Sequence, residues 1–171
     1  MKRLNTSFFH CDVLEVAPQL LGKTIVRKFD TGETKQYLIT ETEAYRGEED
    51  LACHASKGRT SRTEIMYQPG GYVYVYLIYG MYWLLNFTTN PNSFPAAVLI
   101  RGVENFSGPG RVGRELQLNQ TFYGENLVES ERIWVVDNNF NPPVEVSKRI
   151  GVNYSGPWAN LLWRFTIGNY K

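Results

Sequence analysis

Cysteine and histidine are scarce in this chain, with 2 of each in 171 residues. Two thiols cannot build a disulfide framework, and their scarcity points to a reducing compartment. The four residues fall as neighbours, His10-Cys11 and Cys53-His54. Adjacent side chains rarely turn to one ion and the usual ligand spacing is missing, so no metal is expected. Long apolar runs are missing too. The opening MKRLNTSFFHCDVLEV has no apolar stretch of signal-peptide length, and no segment approaches a membrane span. The expectation is a cytoplasmic protein with no membrane partner. No repeat or low-complexity segment occurs. Neither sign of charge dominates: Lys and Arg number 18 and Asp and Glu 17, a net charge of +1. A nucleic-acid partner would have to be met by local clusters. The candidates are Lys57, Arg59 and Arg62, then Arg111 and Arg114, then Lys148 and Arg149. Each cluster also reads as ordinary solvated charge.

What the chain has is apolar and aromatic content, 43% hydrophobic and 14% aromatic, enough for a folded core. The length predicts one domain over residues 1–171. Asp12 reads as an N-cap three residues before Glu15, and Val13, Val16, Ala17, Leu20 and Leu21 repeat at helical spacing until Gly22. Residues 23–28 and 34–43 read as strands joined by Asp30-Thr31-Gly32. Residues 46–71 form a long polar connection with room for a short helix. Asn90-Pro91-Asn92 makes a turn, residues 96–104 a buried strand, and SGPGR from Ser107 enters a helix of about two turns. The tail predicts a turn at Gly156-Pro157, a short apolar helix and a final strand, with Trp158 and Trp163 in the core. Antiparallel strands with a few helices, without regular βαβ alternation, predict an α+β fold.

Three stretches carry possible chemistry. The first, YVYVYLIYGMYWLLN over residues 72–86, has five tyrosines in fifteen positions. At period two, Tyr72, Tyr74, Tyr76 and Ile78 share one face and Val73, Val75, Leu77 and Tyr79 the other. Gly80 then breaks the run, so two strands meet at Tyr79-Gly80 and a ring stands at the tip. Tyrosine is also simply a good strand residue. In the second stretch, ITETEAYRGEEDLACH, an extended strand would place Ile39, Glu41, Glu43 and Tyr45 on one face. Two carboxylates would then share a face otherwise suited to burial, for catalysis or because one of them pairs with a cation. Periodicity does not choose between them. In the third, AAVLIRGVE, Arg101 interrupts an apolar run and needs a carboxylate or phosphate partner. The glycine-rich entry at SGPGR could meet an anion or be a plain helix start.

ETEAYRGEEDLACH, the tyrosine ribbon, VLIRG and SGPGR, in this order between LLGK near the start and RIGV near the end, closely resemble the alkyladenine (3-methyladenine) DNA glycosylase family. The resemblance covers nearly the whole chain. It implies a monomeric, monofunctional base-excision repair enzyme without metal or organic cofactor. Such an enzyme flips a damaged purine out of double-stranded DNA and hydrolyses its N-glycosidic bond. The fold implied is a single compact domain with a curved, mostly antiparallel sheet, peripheral helices and a protruding β-hairpin that inserts into DNA. Location would be cytoplasmic, at the nucleoid, in a bacterium and nuclear in a eukaryote.

Carried onto this chain, the resemblance makes Glu43 the base that activates water, with Arg101 helping to hold that water and the Ile150-Gly151 backbone contributing a carbonyl. Tyr45, His54 and Tyr76 would enclose the flipped base, with Asn86 at the pocket floor and Leu99 and Ile150 close by. Tyr79 matches the intercalating residue. Contacts to the DNA backbone fall on Arg59, Arg62, Met81, Tyr82, Gly110 and Arg111. Where related sequences carry an Arg-Asn pair before the ribbon, this chain reads Thr60-Ser61-Arg62-Thr63-Glu64. The competing readings are a non-catalytic domain whose tyrosines stack bases, with Glu43 only neutralising Arg101, and a glycosidase directed at RNA or nucleotides.

Overall fold

The computed structural model describes residues 1–91 and 93–168. Within them ten strands form one sheet: β1 (Lys2–Arg3), β2 (Thr24–Lys28), β3 (Thr34–Arg46), β4 (Val73–Ile78), β5 (Tyr82–Thr88), β6 (Ala96–Val103), β7 (Phe106–Ser107), β8 (Ile133–Asp137), β9 (Val144–Ser147) and β10 (Arg164–Ile167). The main order is β1-β8-β2-β3-β6-β5-β4, with β10 pairing β3 and β9, and β7 pairing β6. Every pairing among the described residues is antiparallel. The helices are α1 (Thr6–Phe9), α2 (Val13–Gln19) and α3 (Pro109–Glu115), supplemented by 3₁₀ turns. This is the α+β class the element pattern predicts.

Strand alternation sorts the two faces of the sheet. Val73, Val75, Leu85, Phe87, Val98, Ile100 and Ala44 join Val13, Val16 and Ala17 of α2 in the main core, each large aliphatic or aromatic group contributing about 1.5–3 kcal/mol by burial. Tyr74, Leu84, Asn86, Ala97, Leu99 and Glu43, at the alternate positions, are also buried, but on the other face, where the sheet walls a cavity. The alternation breaks once. Ile39 lies in the main core with Ala44, not on the face of Glu41, Glu43 and Tyr45. Register shifts between Ile39 and Glu41 and between Glu41 and Thr42 leave Thr40 and Arg101 without ladder partners. These irregularities reset the side-chain parity, as β-bulges do.

Local expectations fare unevenly. Asp12 caps α2 by accepting from the Leu14 N–H at 2.9 Å and is also gripped by Arg46, at 2.7–3.1 Å. β3 runs on to Arg46, and two 3₁₀ turns, His54–Lys57 and Glu64–Tyr67, stand in the long connection where one short helix had room. Of the Asn90-Pro91-Asn92 turn, Asn92 lies outside the described residues. In place of a regular apolar helix the tail forms a 3₁₀ segment, Asn153–Asn160, kinked at Gly156. Trp158 and Trp163 are half-buried, with ring centroids 6.0 Å apart, and Trp163 packs against the main core. The helix entered through SGPGR is α3, pressed so closely on β5 that a Cβ on Gly113 would lie 1.8 Å from the Trp83 carbonyl oxygen.

Candidate active site

Sheet register assembles the site in a row. Glu43 on β3 stands opposite Leu99 on β6, Leu99 opposite Asn86 on β5, and Asn86 opposite Tyr74 on β4. These residues, with Tyr45 and Tyr76 one step along their strands, form one wall of a cavity of about 330 Å³; Tyr45, Tyr74, Tyr76, Asn86 and Leu99 line it directly. His54 from the first 3₁₀ turn, Arg101, Tyr79, and Ile150 with Tyr154 from the tail complete the enclosure. The sequence motifs, scattered from residue 43 to residue 151, thus converge on one concave site.

The two glutamates differ in their partners. Glu41 accepts on Oε1 from both Arg101 Nε at 3.0 Å and Arg164 Nε at 2.6 Å, so its charge is balanced by two guanidinium groups. Glu43 is fully buried. It accepts the Tyr45 hydroxyl on Oε2 at 2.7 Å and the Ile150 N–H on Oε1 at 2.7 Å, and lies 3.6 Å from Arg101 Nε. The Ile150 backbone meets Glu43 through its N–H. Burial pushes the Glu43 carboxyl above the usual carboxylate range; Arg101, the Ile150 N–H and the Tyr45 hydroxyl pull the other way, and Glu41 adds to the rise. A carboxylate made more basic than usual, yet held by donors, is suited to accepting a proton from water.

The aromatic walls are kept neutral. Arg62 Nε donates to the Tyr74 hydroxyl at 3.2 Å, and that hydroxyl lies 2.8 Å from His54 Nδ1. Which of the two atoms donates in the Tyr74–His54 contact follows the tautomer of the imidazole. Burial, with Arg62 and Lys57 nearby, pushes the His54 pKa down to about 4. The His54 and Tyr76 rings meet edge-to-face at 4.5 Å, and the Arg62 guanidinium sits 5.0 Å from the Tyr76 centroid. Asn86 donates through Nδ2 to the carbonyls of Tyr74 at 3.1 Å and Leu84 at 3.4 Å, which fixes the orientation of its amide.

Beside the cavity the β4–β5 hairpin ends in Tyr79, 87% exposed. Tyr79 and Gly80 have φ of 51° and 66°. Two successive left-handed residues suit a hairpin turn, but for tyrosine the conformation costs about 1 kcal/mol, a cost that recurs at functional sites. Met81 next to it is exposed. Tyr82 packs on Gly110 and lies 5.3 Å beneath Arg114, while Arg111 is exposed. Arg59 is not a free cation. Arg59 pairs with Glu64 at 2.6 Å and Arg62 turns to Tyr74. In the Thr60–Glu64 stretch, Thr63 Oγ1 also binds the Gly58 carbonyl at 3.0 Å.

Sequence reading missed Tyr74 as the link between Arg62 and His54, Arg164 as the second partner of Glu41, Tyr154 in the cavity wall, and the buried Asp50–Arg149 pair. The polar group in DLACH was the only signal for Asp50. Among the described residues, no His, Cys, Asp or Glu cluster could hold a metal ion, and no helix is long and apolar enough to cross a membrane.

A family model described as methylpurine-DNA glycosylase matches residues 7–108 and 104–171. A Rickettsia rickettsii (strain Sheila Smith) protein named "Putative 3-methyladenine DNA glycosylase" is 41% identical over 171 residues, spanning 96% of this chain and 89% of the relative. A Legionella pneumophila (strain Corby) protein of the same name is 40% identical over 175 residues, spanning 98% and 95%.

Proposed function

The chain belongs to the methylpurine-DNA glycosylase family, a family of DNA-repair hydrolases acting on N-glycosyl bonds, and on that premise we propose that it works as a monomeric unit that flips alkylated or deaminated purines out of duplex DNA and hydrolyses their N-glycosidic bonds with water activated by Glu43. The observation that carries this reading is the state of Glu43. It is a fully buried carboxylate of raised basicity, held by Tyr45 and Ile150 beside an aromatic cavity with an exposed tyrosine turn at its edge.

A base inside a duplex cannot be reached at its glycosidic bond. Extrusion costs a few kcal/mol, and an inserted side chain offsets part of the lost stacking. The exposure of Tyr79 at the hairpin tip supports that role. Purines methylated at N3 or N7 carry positive charge, which aromatic faces attract and a protonated histidine would repel. The phenols of Tyr45 and Tyr76 and a neutral His54 suit such a guest. That charge also weakens the bond to the sugar. As the base leaves, positive charge develops on the sugar, and an anionic Glu43 both stabilises it and takes the proton of the attacking water. Arg101, bound to Glu41 and 3.6 Å from Glu43, orients that water. Hypoxanthine, ethenoadenine, 3-methyladenine and 7-methylguanine are the proposed substrate class. Among the described residues no lysine lines the cavity, which supports a reaction that ends at an abasic site without an amine-linked intermediate.

The test is a duplex oligonucleotide carrying one hypoxanthine or alkylated purine. Free base should be released, and the strand should break only after alkali treatment. Tight lesion binding without release would replace this reading with that of a base-stacking binding module. Release from RNA or nucleosides in place of DNA would move the reaction to another sugar.

A further inference from the structure

Behind the cavity lies an ion pair with no solvent exposure on either side chain, Asp50–Arg149. Each oxygen of Asp50 serves two donors. Oδ2 accepts Arg149 Nη1 at 2.6 Å and the Arg46 N–H at 3.1 Å, and Oδ1 accepts Arg149 Nη2 at 2.9 Å and the Ala52 N–H at 3.0 Å. Arg149 also donates to the carbonyls of Ala44 at 3.0 Å and Trp158 at 3.2 Å, and its guanidinium lies 4.8 Å from the Tyr45 ring centroid. Neither Asp50 nor Arg149 lines the cavity, but their partners are the chain neighbours of residues that form the site. Ala44 follows Glu43, Arg46 follows Tyr45, Ala52 lies two residues before His54, and Arg149 precedes Ile150.

An ion pair removed from water is costly to bury; Arg149 Nε has no partner among the described residues, but both of its terminal nitrogens and both Asp50 oxygens are bonded twice, which makes the pair rigid. We propose that Asp50 and Arg149 are positioning residues that lock the Ile150 N–H onto Glu43 and so hold the carboxylate in its ionised, water-activating state. The inference rests on the role given to Glu43 above. The other charged or titratable groups facing Glu43 are Arg101 on β6, Glu41 and Tyr45 on β3, Tyr76 on β4 and Arg164, its cross-strand partner on β10, which is bonded to Glu41. None of these is altered by a change at Asp50 or Arg149, apart from Tyr45's contact with the guanidinium.

Asp50→Asn separates positioning from simple electrostatics, because the two have opposite signs. Loss of the negative charge leaves Arg149 unbalanced and, acting through space, would lower the pKa of Glu43. Release of the Ile150 N–H removes a donor to the carboxylate and raises it. An asparagine must also aim an N–H at donors, since both oxygen positions face them. The experiment is single-turnover excision of hypoxanthine or an alkylated purine from duplex DNA across pH, with circular dichroism to establish folding. In the unmodified protein the rate rises with pH as Glu43 ionises. In Asp50→Asn that limb should move upward by about one pH unit, so excision below the limb falls about tenfold while the plateau is largely regained at higher pH. Arg149→Lys, which keeps a cation but cannot reach both Asp50 oxygens and two carbonyls together, should move the limb the same way by less, and carries the test if Asp50→Asn does not fold. Ile150→Pro deletes the N–H with the ion pair intact; it should reproduce the displacement and add nothing when combined with Asp50→Asn. A limb unmoved or displaced toward acid in folded variants, or additive shifts, would overturn the proposal. Absence of excision by the unmodified protein would refute the proposed function instead.

Discussion

Tyr45 and Glu43, two residues apart on β3, are joined by a 2.7 Å hydrogen bond from the phenol to Oε2. Because the bond is made to the charged form, it restrains the rise in the Glu43 pKa that burial causes. Tyr45→Phe should therefore raise that pKa further. Excision at pH values below the limb should drop several-fold and recover on the plateau, as read from a single-turnover pH profile. The neutral His54, with its pKa near 4, is not expected to contribute a limb near neutrality.

Glu43→Gln keeps the size of the side chain but cannot accept a proton from water at neutral pH. Excision should fall by at least about 10²- to 10⁴-fold, while lesion binding survives. Glu41→Gln is the control, since Glu41 is bound to Arg101 and Arg164, and it should retain most of its excision. Full activity in folded Glu43→Gln with inactivity in Glu41→Gln would exchange their roles. The same Glu43 variant should gain thermal stability. A carboxyl whose folded pKa lies above its unfolded value disfavours folding once ionised, so the unmodified protein loses stability as pH rises from the ordinary carboxylate range through the folded pKa. The Tm advantage of Glu43→Gln should be small in acid and widen toward neutral pH. A constant or narrowing difference would mean that Glu43 is not destabilised by its burial.

At the hairpin tip, Tyr79→Ala should weaken lesion-specific duplex binding and reduce excision from duplex more than from single-stranded DNA. Equal losses on both substrates would count against insertion. Tyr79→Gly should show the same functional loss with stability higher by up to about 1 kcal/mol, because glycine accepts positive φ without strain. Denaturant unfolding would measure that gain.

Asn86 is fastened by two donated hydrogen bonds and cannot swing away from a group that overlaps it. A guanine amino group entering the cavity floor is one such group, and rejection by overlap is an effective source of selectivity. Asn86→Ser should broaden the range of purines released, seen as a higher ratio of undamaged guanine to hypoxanthine excision. An unchanged ratio would leave Asn86 as a support for the Tyr74 and Leu84 backbone.

The strand-borne part of this site was legible before any folding was considered. A strand's side-chain period is intrinsic to its backbone, so the aliphatic and tyrosine faces of residues 73–78, the break at Tyr79-Gly80 and the intrusion of Arg101 into an apolar strand could all be read locally. The family motifs added the identities of the cavity residues. Short elements such as β1, β7 and α1 left no periodic trace, since two to four residues do not complete a pattern. The choice between Glu41 and Glu43 was likewise invisible to periodicity, for they share residue type, spacing and strand, and it came from the family motif alone. Tertiary structure separates them by bringing Arg164, 123 residues away, to Glu41, and the Ile150 N–H, 107 residues away, to Glu43. It also returned Ile39 to the core through register shifts that exist only once β3 and β6 are paired. Sequence determined which side chains could do chemistry; long-range contacts decided which carboxylate was neutralised and which was held basic, because a buried charge takes its properties from the donors around it.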